Sequence, residues 1–232
     1  MLPTKGLRQD KRSGISVVIA ALNEEKGIGP TINEMRSFLQ DFHLIVVDGN
    51  SSDKTIEIAK NFEADILLQE GKGKGDALLQ GIRAIKEDSI YVVLTDADFT
   101  YPAEYVPKMI AILEHDPKVG MVTGNRFGTR DRMATTKNPF YIGNKILAFT
   151  EYVINAVDLE DPLSGLRVVR ADILRNWQPR SKGFDIEAEL NSYVRRKGFK
   201  TIEVYINYRQ RIGKKKLGLR HGLIILKRIL AG

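Results

Sequence analysis

Long apolar runs alternate with amphipathic stretches through the first half of the chain. ISVVIAAL (15–22), HLIVVDG (43–49) and IYVVLTDAD (90–98) are nearly continuous and rich in β-branched residues. Such runs read as strands buried on both faces, as in a parallel sheet. DILLQ (65–69) and VGMVTGNR (119–126) are further strands. Helices are expected between them. One runs through about 30–40, with Pro30 acceptable in its first turn. TIEIAKNF forms the next, after a loop rich in capping residues, DGNSSD (48–53). A third opens from GKGKG (71–75) and runs to about 86, and a fourth is EYVPKMIAILEH (104–115). This strand–helix rhythm predicts an α/β, doubly wound, mostly parallel central sheet flanked by helices, with right-handed crossovers.

Beyond residue 126 the rhythm loosens. Residues 127–140 hold few apolar anchors and are expected to form a mobile loop. A helix at about 141–157, a strand at 164–170, a helix at 184–198 and a strand at 201–208 follow. No repeat or linker interrupts them, so one domain is expected, with its second half built around the same sheet. On a helical projection of LGLRHGLIILKRIL, Arg220, His221, Lys227 and Arg228 share a sector into which Ile224 intrudes. Leu219, Leu223, Leu226, Ile229 and Leu230 face the other way. A basic amphipathic helix of this kind either lies on an anionic membrane surface or docks on the body of the protein.

Charge sharpens the division. The 232 residues carry 36 basic and 29 acidic side chains, a net charge of +7. Beyond residue 203 there are eight basic residues and no acid. The chain is thus a mildly acidic body with a basic tail, which argues against a nucleic-acid partner needing basic charge across a face. The absence of cysteine excludes disulfides, thiolate catalysis and Cys-ligated zinc. MLPTKGLRQDKRSG lacks the apolar core of a signal peptide, and no apolar window reaches the ~18 residues of a membrane span.

In open α/β sheets ligands bind outside the carboxyl ends of the strands. Four such ends are polar here: Asn23-Glu24-Glu25, Asp48-Gly49-Asn50, Asp96-Ala97-Asp98 and Gly124-Asn125-Arg126. Asp96 and Asp98 form a D-x-D pair of hard oxygen ligands suited to Mg²⁺ or Mn²⁺ shared with substrate phosphates, or they cap the next helix. Asp48 either caps its turn or accepts hydrogen bonds from a nucleotide base or ribose, and Glu24 has the same two readings. In GKGKG the glycines would let backbone N–H groups approach a ligand, with Lys72 or Lys74 adding charge. The alternative is a plain flexible turn. Neither the P-loop nor the G-x-G-x-x-G spacing is present.

The ordered segments AALNEE, IVVDGNSSDKT, GKGKGDALLQGIRAI, VVLTDADFTYP and VTGNRF resemble family 2 glycosyltransferases. DPLSGLRVVRADIL and KGFDIEAELNSYVRRKGFKTIEVYINYRQRIGKKKLG narrow the resemblance to the dolichyl-phosphate sugar synthases, over roughly 15–220. It implies a glycosyltransferase-A-type nucleotide-binding domain and transfer of a hexose from a nucleotide sugar to polyprenyl or dolichyl phosphate. The division becomes a basic arm (1–14), a catalytic domain (15–216) and a membrane-interface helix (217–232).

The resemblance also implies roles for single residues. Ala21, Asn23, Glu24, Asp48, Lys74, Asp76, Asp96 and Ala97 would line the nucleotide. Asp96 and Asp98 would hold the metal. Arg126, Lys145, Arg211 and Lys216 would hold the acceptor phosphate, and Arg209 would join Asp96, Asp98 and Arg126 in catalysis. Asp161, Ser164, Gly165 and Arg167 match a D-x-x-S-G-x-R stretch, and Glu187 matches a helix acid. Asp161 and Glu187 are expected on the acceptor side or as partners of Arg167, and Arg126 either on the phosphate or in an ion pair on the body. Thr100 stands where many mannosyl members have Gln, which favours UDP-glucose or UDP-N-acetylglucosamine over GDP-mannose, and Lys215 replaces the usual Ser before Lys216. A phosphate acceptor ionises near pH 6 and needs cations rather than a general base. The other readings are a transfer to a saccharide and a non-catalytic nucleotide-binding module at a membrane. The implied place is peripheral, on the cytoplasmic face of the membrane.

Overall fold

The computed structural model describes residues 14–128, 139–213 and 219–231. Seven strands form one sheet: β1 (Ile15–Ala21), β2 (His43–Asp48), β3 (Asp65–Leu68), β4 (Tyr91–Asp96), β5 (Val119–Asn125), β6 (Arg167–Arg170) and β7 (Lys200–Tyr205). Their order is β3-β2-β1-β4-β6-β5-β7. All neighbours pair in parallel except β6, which runs antiparallel between β4 and β5. The helices are α1 (Ile28–Phe38), α2 (Thr55–Lys60), α3 (Lys74–Arg83), α4 (Val106–His115), α5 (Pro139–Asn155), α6 (Ala171–Arg175), α7 (Ile186–Arg196) and α8 (Leu219–Ala231).

The expected mostly parallel α/β domain is what forms, with corrections at element boundaries: the strand expected at 201–208 ends at Tyr205, and Pro139 and Phe140 of the expected loop are helical. The strand expected at 164–170 is confined to Arg167–Arg170, the short helix α6 follows it at once, and α1 begins at Ile28 rather than 30. The N-terminal arm through residue 13, positions 129–138 of the expected loop, and Lys214–Lys216 lie outside the described residues.

Alternating side chains of the central strands feed two apolar layers. Val17 and Ile19 of β1 pack with Ile32 and Met35 of α1 and Met109 and Leu113 of α4. Val18, between them, points to the other face, toward Leu78 and Ile82 of α3 and Leu190 of α7. A third cluster, Leu147, Ala188, Ile225 and Ile229, joins α5, α7 and α8. The tail helix therefore docks on the body, and Arg228 pairs with Asp185 at 3.3 Å.

Beneath α5 lies a buried polar knot. Arg167 donates from Nε to the Ser164 carbonyl at 2.9 Å, and from its terminal nitrogens to Asn191 Oδ1 at 2.6 Å and the Pro162 carbonyl at 2.7 Å. Burial lowers the Arg167 pKa against the pull of the surrounding acids. Asn191 also donates to Glu151 of α5, at 3.5 Å. Burial raises the Glu151 carboxyl from 4.5 to about 7, against the opposing Asn191 bond and Arg167 charge.

That shift has a sign. The folded chain keeps the Glu151 proton until about pH 7, whereas the unfolded chain releases it near 4.5. Unfolding therefore releases a proton in this window, and stability falls as pH rises through it, by on the order of 3 kcal/mol in all. Glu151→Gln cannot ionise. Thermal unfolding across pH should show the wild-type decline flattened in this variant, with a melting temperature several degrees higher above neutral pH.

Candidate active site

The carboxyl ends of β1, β2, β4, β5 and β7 share one edge of the sheet, and β6, running the other way, starts there. At the β1–β2 end the loops are sewn together. The Gly49 N–H donates to the Ala21 carbonyl at 2.8 Å, and Asn23 Oδ1 accepts the Ser52 N–H at 2.8 Å. Asp48 is fully buried, and its carboxylate accepts the Ser51 N–H at 2.7 Å and hydroxyl at 2.6 Å. Of its two readings, the turn cap is the one the structure displays.

The glycine-rich loop packs on the segment before α7. The N–H groups of Gly75 and Asp76 donate to the Lys182 carbonyl at 2.9 and 3.3 Å. A Cβ at Gly73, whose φ is +92°, would lie 2.3 Å from that oxygen. The glycines here admit the chain's own backbone. Asp76 serves the same loop, accepting from the Gly71 N–H at 3.1 Å and Gln69 Nε2 at 3.0 Å.

Lys74 leaves this loop for the crevice. Its ammonium sits 2.6 Å from Asp96 Oδ1 and 2.7 Å from Glu187 Oε1. Burial works to lower its pKa, but the two carboxylates override that and hold it above the usual lysine value. Asp96 is also backed by Gly165, where a Cβ would come within 2.6 Å of Oδ2. The Gly165 N–H donates to Tyr101 Oη at 2.7 Å, which holds the start of β6 against the end of β4.

Asp98, two residues on, is buried and accepts the Thr100 hydroxyl at 2.6 Å and N–H at 3.2 Å. The carbonyl of the intervening Ala97 packs against Gly27. Arg211 reaches back to pair with both Asp98, at 2.8 Å, and Glu24. Burial, then the charge on Asp96, raise the Asp98 pKa against the Thr100 and Arg211 contacts.

On the β5 side, Arg126 donates to Asp161 from Nε and a terminal nitrogen, both at 2.7 Å, and from its backbone N–H at 3.0 Å. Burial opposes its charge and Asp161 more than restores it, raising the pKa. The guanidinium also lies over Phe127 and Tyr208, 5.4 and 5.6 Å from the ring centroids. Asp161 and Glu187 therefore serve Arg126 and Lys74, and not Arg167, as hydrogen-bonded partners. Arg209 pairs with Glu34 at 2.9 Å, stacks over Phe99, and donates its backbone N–H to the Thr100 carbonyl at 3.0 Å. Lys145 stays with Glu160, 3.6 Å from its carboxylate, and Lys216 lies outside the described residues.

Two acids escaped the sequence reading. Glu34 anchors Arg209. Glu203 of β7 accepts the N–H groups of Glu160 and Asp161 at 2.7 and 2.8 Å, fixing the segment that carries Asp161. Nothing local marks either residue, because each partner lies far away along the chain.

A family model described as Glycosyl transferase family 2 matches residues 16–177. This chain belongs to glycosyltransferase family 2. A dolichyl-phosphate hexose transferase of Haloferax volcanii is 30% identical over 205 residues, covering 88% of this chain and 86% of that protein. The glycosyltransferase AglJ and the low-salt glycan biosynthesis hexosyltransferase Agl6 of the same organism are 31% and 30% identical, over 84% and 89% of the chain. The chain spans only 62% and 52% of their lengths. Among solved structures, a glucosyl-3-phosphoglycerate synthase from Mycobacterium tuberculosis, in complex with Mn²⁺, UDP and phosphoglyceric acid, superposes with a TM-score of 0.69. It is 22% identical over 94% of this chain and 76% of its own, a likeness of fold.

For this glycosyltransferase, a divalent cation is consistent with the donor set. Asp96 and Asp98 offer hard oxygens, each already facing a positive side chain, and their mutual repulsion is part of what raises the Asp98 pKa. Among the described residues no third acid, His or Cys completes a protein-only cage. The remaining ligands would come from the donor diphosphate and water.

The Arg126–Asp161 pair allows a direct test. Removing the partner of a buried charge costs about 3–5 kcal/mol. Asp161→Ala should lower the unfolding free energy by that amount in urea titrations. A surface control, Asp172→Ala, should leave it within about 0.5 kcal/mol of wild type.

Proposed function

We propose that this enzyme moves a hexose from a nucleoside diphosphate sugar to polyprenyl or dolichyl phosphate for glycan assembly, inverting the anomeric centre. UDP-glucose and UDP-N-acetylglucosamine are favoured as donors over GDP-mannose. The reading places the enzyme peripherally on the cytoplasmic face of a membrane, with its basic tail toward anionic lipid.

The observation that carries the acceptor class is charge pairing. Asp161, Glu187, Glu24 and Glu34 are each bound to a cationic side chain. A sugar hydroxyl acceptor requires a general base, and a carboxylate held in an ion pair is a poor one. A phosphate monoester needs none, because its second ionisation lies near pH 6. The Haloferax dolichyl-phosphate hexose transferase, similar over nearly its whole length, supports the same class.

In this reading Asp48 acts through the turn it caps, shaping with Ala21, Asn23 and Glu24 the wall against the nucleotide. Asp96 and Asp98 would hold Mg²⁺ or Mn²⁺, which would supply Lewis-acid neutralisation of the departing diphosphate. Thr100 and Gly165 keep the two carboxylates in place, and Lys74 adds positive charge beside Asp96. Arg126, oriented by Asp161, holds the acceptor phosphate, with Lys145, Arg211 and Lys216 as further cations. A phosphate oxygen attacks the anomeric carbon as the bond to the nucleoside diphosphate breaks. Arg209 and Arg211 stabilise the developing charge electrostatically.

The test is transfer of radiolabel from UDP-glucose, UDP-N-acetylglucosamine and GDP-mannose in the presence of Mn²⁺ and a polyprenyl phosphate. Chloroform-soluble product is expected, and a water-soluble oligosaccharide would overturn the acceptor. Asp98→Asn should lower kcat at least about a hundredfold. It should also abolish the Mn²⁺-dependent thermal shift given by UDP, whereas a purely tethering module would keep its membrane binding and show no turnover to lose.

A further inference from the structure

Helix α5 is built inside out. Its inward positions include the polar Asn144 and Glu151 beside Leu147 and Ala148. Its outward positions are apolar: Ile142, Ile146, Phe149 and Val153, spaced i, i+4, i+7 and i+11, are 49%, 56%, 69% and 59% exposed. That spacing puts all four in a single stripe. Helix α8 lies alongside, with Asn155 of α5 donating to the Ile229 carbonyl at 3.2 Å and Leu147 in the same cluster as Ile225 and Ile229. Its own outward stripe is Leu223, Lys227 and Leu230, and the two leucines are 73% and 59% exposed. An apolar face of this extent on a water-soluble surface marks an interaction site.

We propose that α5 and α8 together form a face that lies flat on an anionic lipid bilayer, with α5 supplying most of the apolar contact. The inference deepens the lipid-phosphate reading above and rests on it. Three observations select a bilayer over a protein partner. An exposed lysine sits in the middle of the α8 stripe. Charged residues are depleted from the core of protein interfaces, whereas at a membrane a lysine buries its stem and lifts its ammonium to the headgroups. Beyond residue 203 there is no acidic residue, so no acid of the tail offsets the exposed Lys227 on this face against anionic lipid. The α5 stripe also begins beside the proposed acceptor site. The Phe127 ring under Arg126 packs edge-on against Tyr141 of α5, with centroids 4.9 Å apart. A lipid whose phosphate sits at Arg126 would emerge where α5 meets the bilayer. No described helix is long and apolar enough to cross a membrane, so the face lies on the surface.

The experiment is flotation of the full chain with vesicles of phosphatidylcholine alone and of phosphatidylcholine mixed with phosphatidylglycerol. Wild type should float with the mixed vesicles. Phe149→Glu, and independently Leu223→Glu as a second variant should the first fail to fold, should weaken that partition at least about tenfold. Both should keep wild-type turnover of a polyprenyl phosphate presented in detergent. Lys227→Gln should weaken binding to the anionic vesicles only. Failure of wild type to float with either vesicle overturns the proposal even if transfer to polyprenyl phosphate is intact. So does a wild-type dimer that Phe149→Glu dissociates, since the occupant would then be a second copy. Flotation that depends on the α5 stripe without any lipid-phosphate transfer upholds the docking face and overturns the acceptor reading instead.

Discussion

A carboxylate buried in protein must be paired, hydrogen-bonded or neutral, because the cost of desolvating an isolated charge exceeds anything else a single side chain contributes. The crevice at the end of this sheet gathers Glu24, Asp96, Asp98, Asp161 and Glu187 within one edge, and cations from both halves of the chain answer them. Lys74 spans Asp96 and Glu187, Arg211 spans Glu24 and Asp98, and Arg126 is clasped by Asp161. The pairs tie β1, β4, β5, α3, α7 and the segment after β7 to one another. Stability and the placement of charge in the crevice therefore depend on the same contacts.

The reversed strand β6 makes the arrangement possible. Because it starts where β4 and β5 end, the residues before it enter the crevice instead of leaving from the far side. Gly165 then lies against Asp96, and Arg167 turns inward to gather the Ser164 and Pro162 carbonyls and Asn191. A side chain at position 165 would press on the carboxylate that the D-x-D pair presents.

The parallel half of the fold was legible because strands buried on both faces leave long β-branched runs, as at 15–21, 43–48 and 91–96. The direction of β6 was not, since RVVR has the same composition whichever way it runs. The D-x-D pair stood out for its abrupt polarity after IYVVLT. Its counter-ions did not. Arg211 lies 187 residues from Glu24, and Arg209 lies 175 from Glu34, so no local pattern could connect them. The glycines of GKGKG were visible as a demand for close approach. What approaches is the Lys182 carbonyl, a main-chain atom that no sequence pattern names. Asp48 has two readings in the sequence, and its bonds to Ser51 display the turn cap, a contact three residues away that the loop composition already suggested.

Helix α5 shows the same limit in another form. A period of 3.6 reveals that a helix has an apolar stripe but not which way the stripe faces. Ordinarily the core claims it. Here the core side of α5 is claimed by Asn144 and Glu151, and Glu151 belongs to the polar knot around Arg167 and Asn191. That knot holds the Asp161–Ser164 segment whose first residue orients Arg126. Placing a polar anchor on the inner face of α5 leaves its apolar residues outside, so the device that steadies the candidate phosphate site also generates the exposed face. The coupling gives a physical reason why the buried Arg126–Asp161 pair and an exposed apolar face lie side by side.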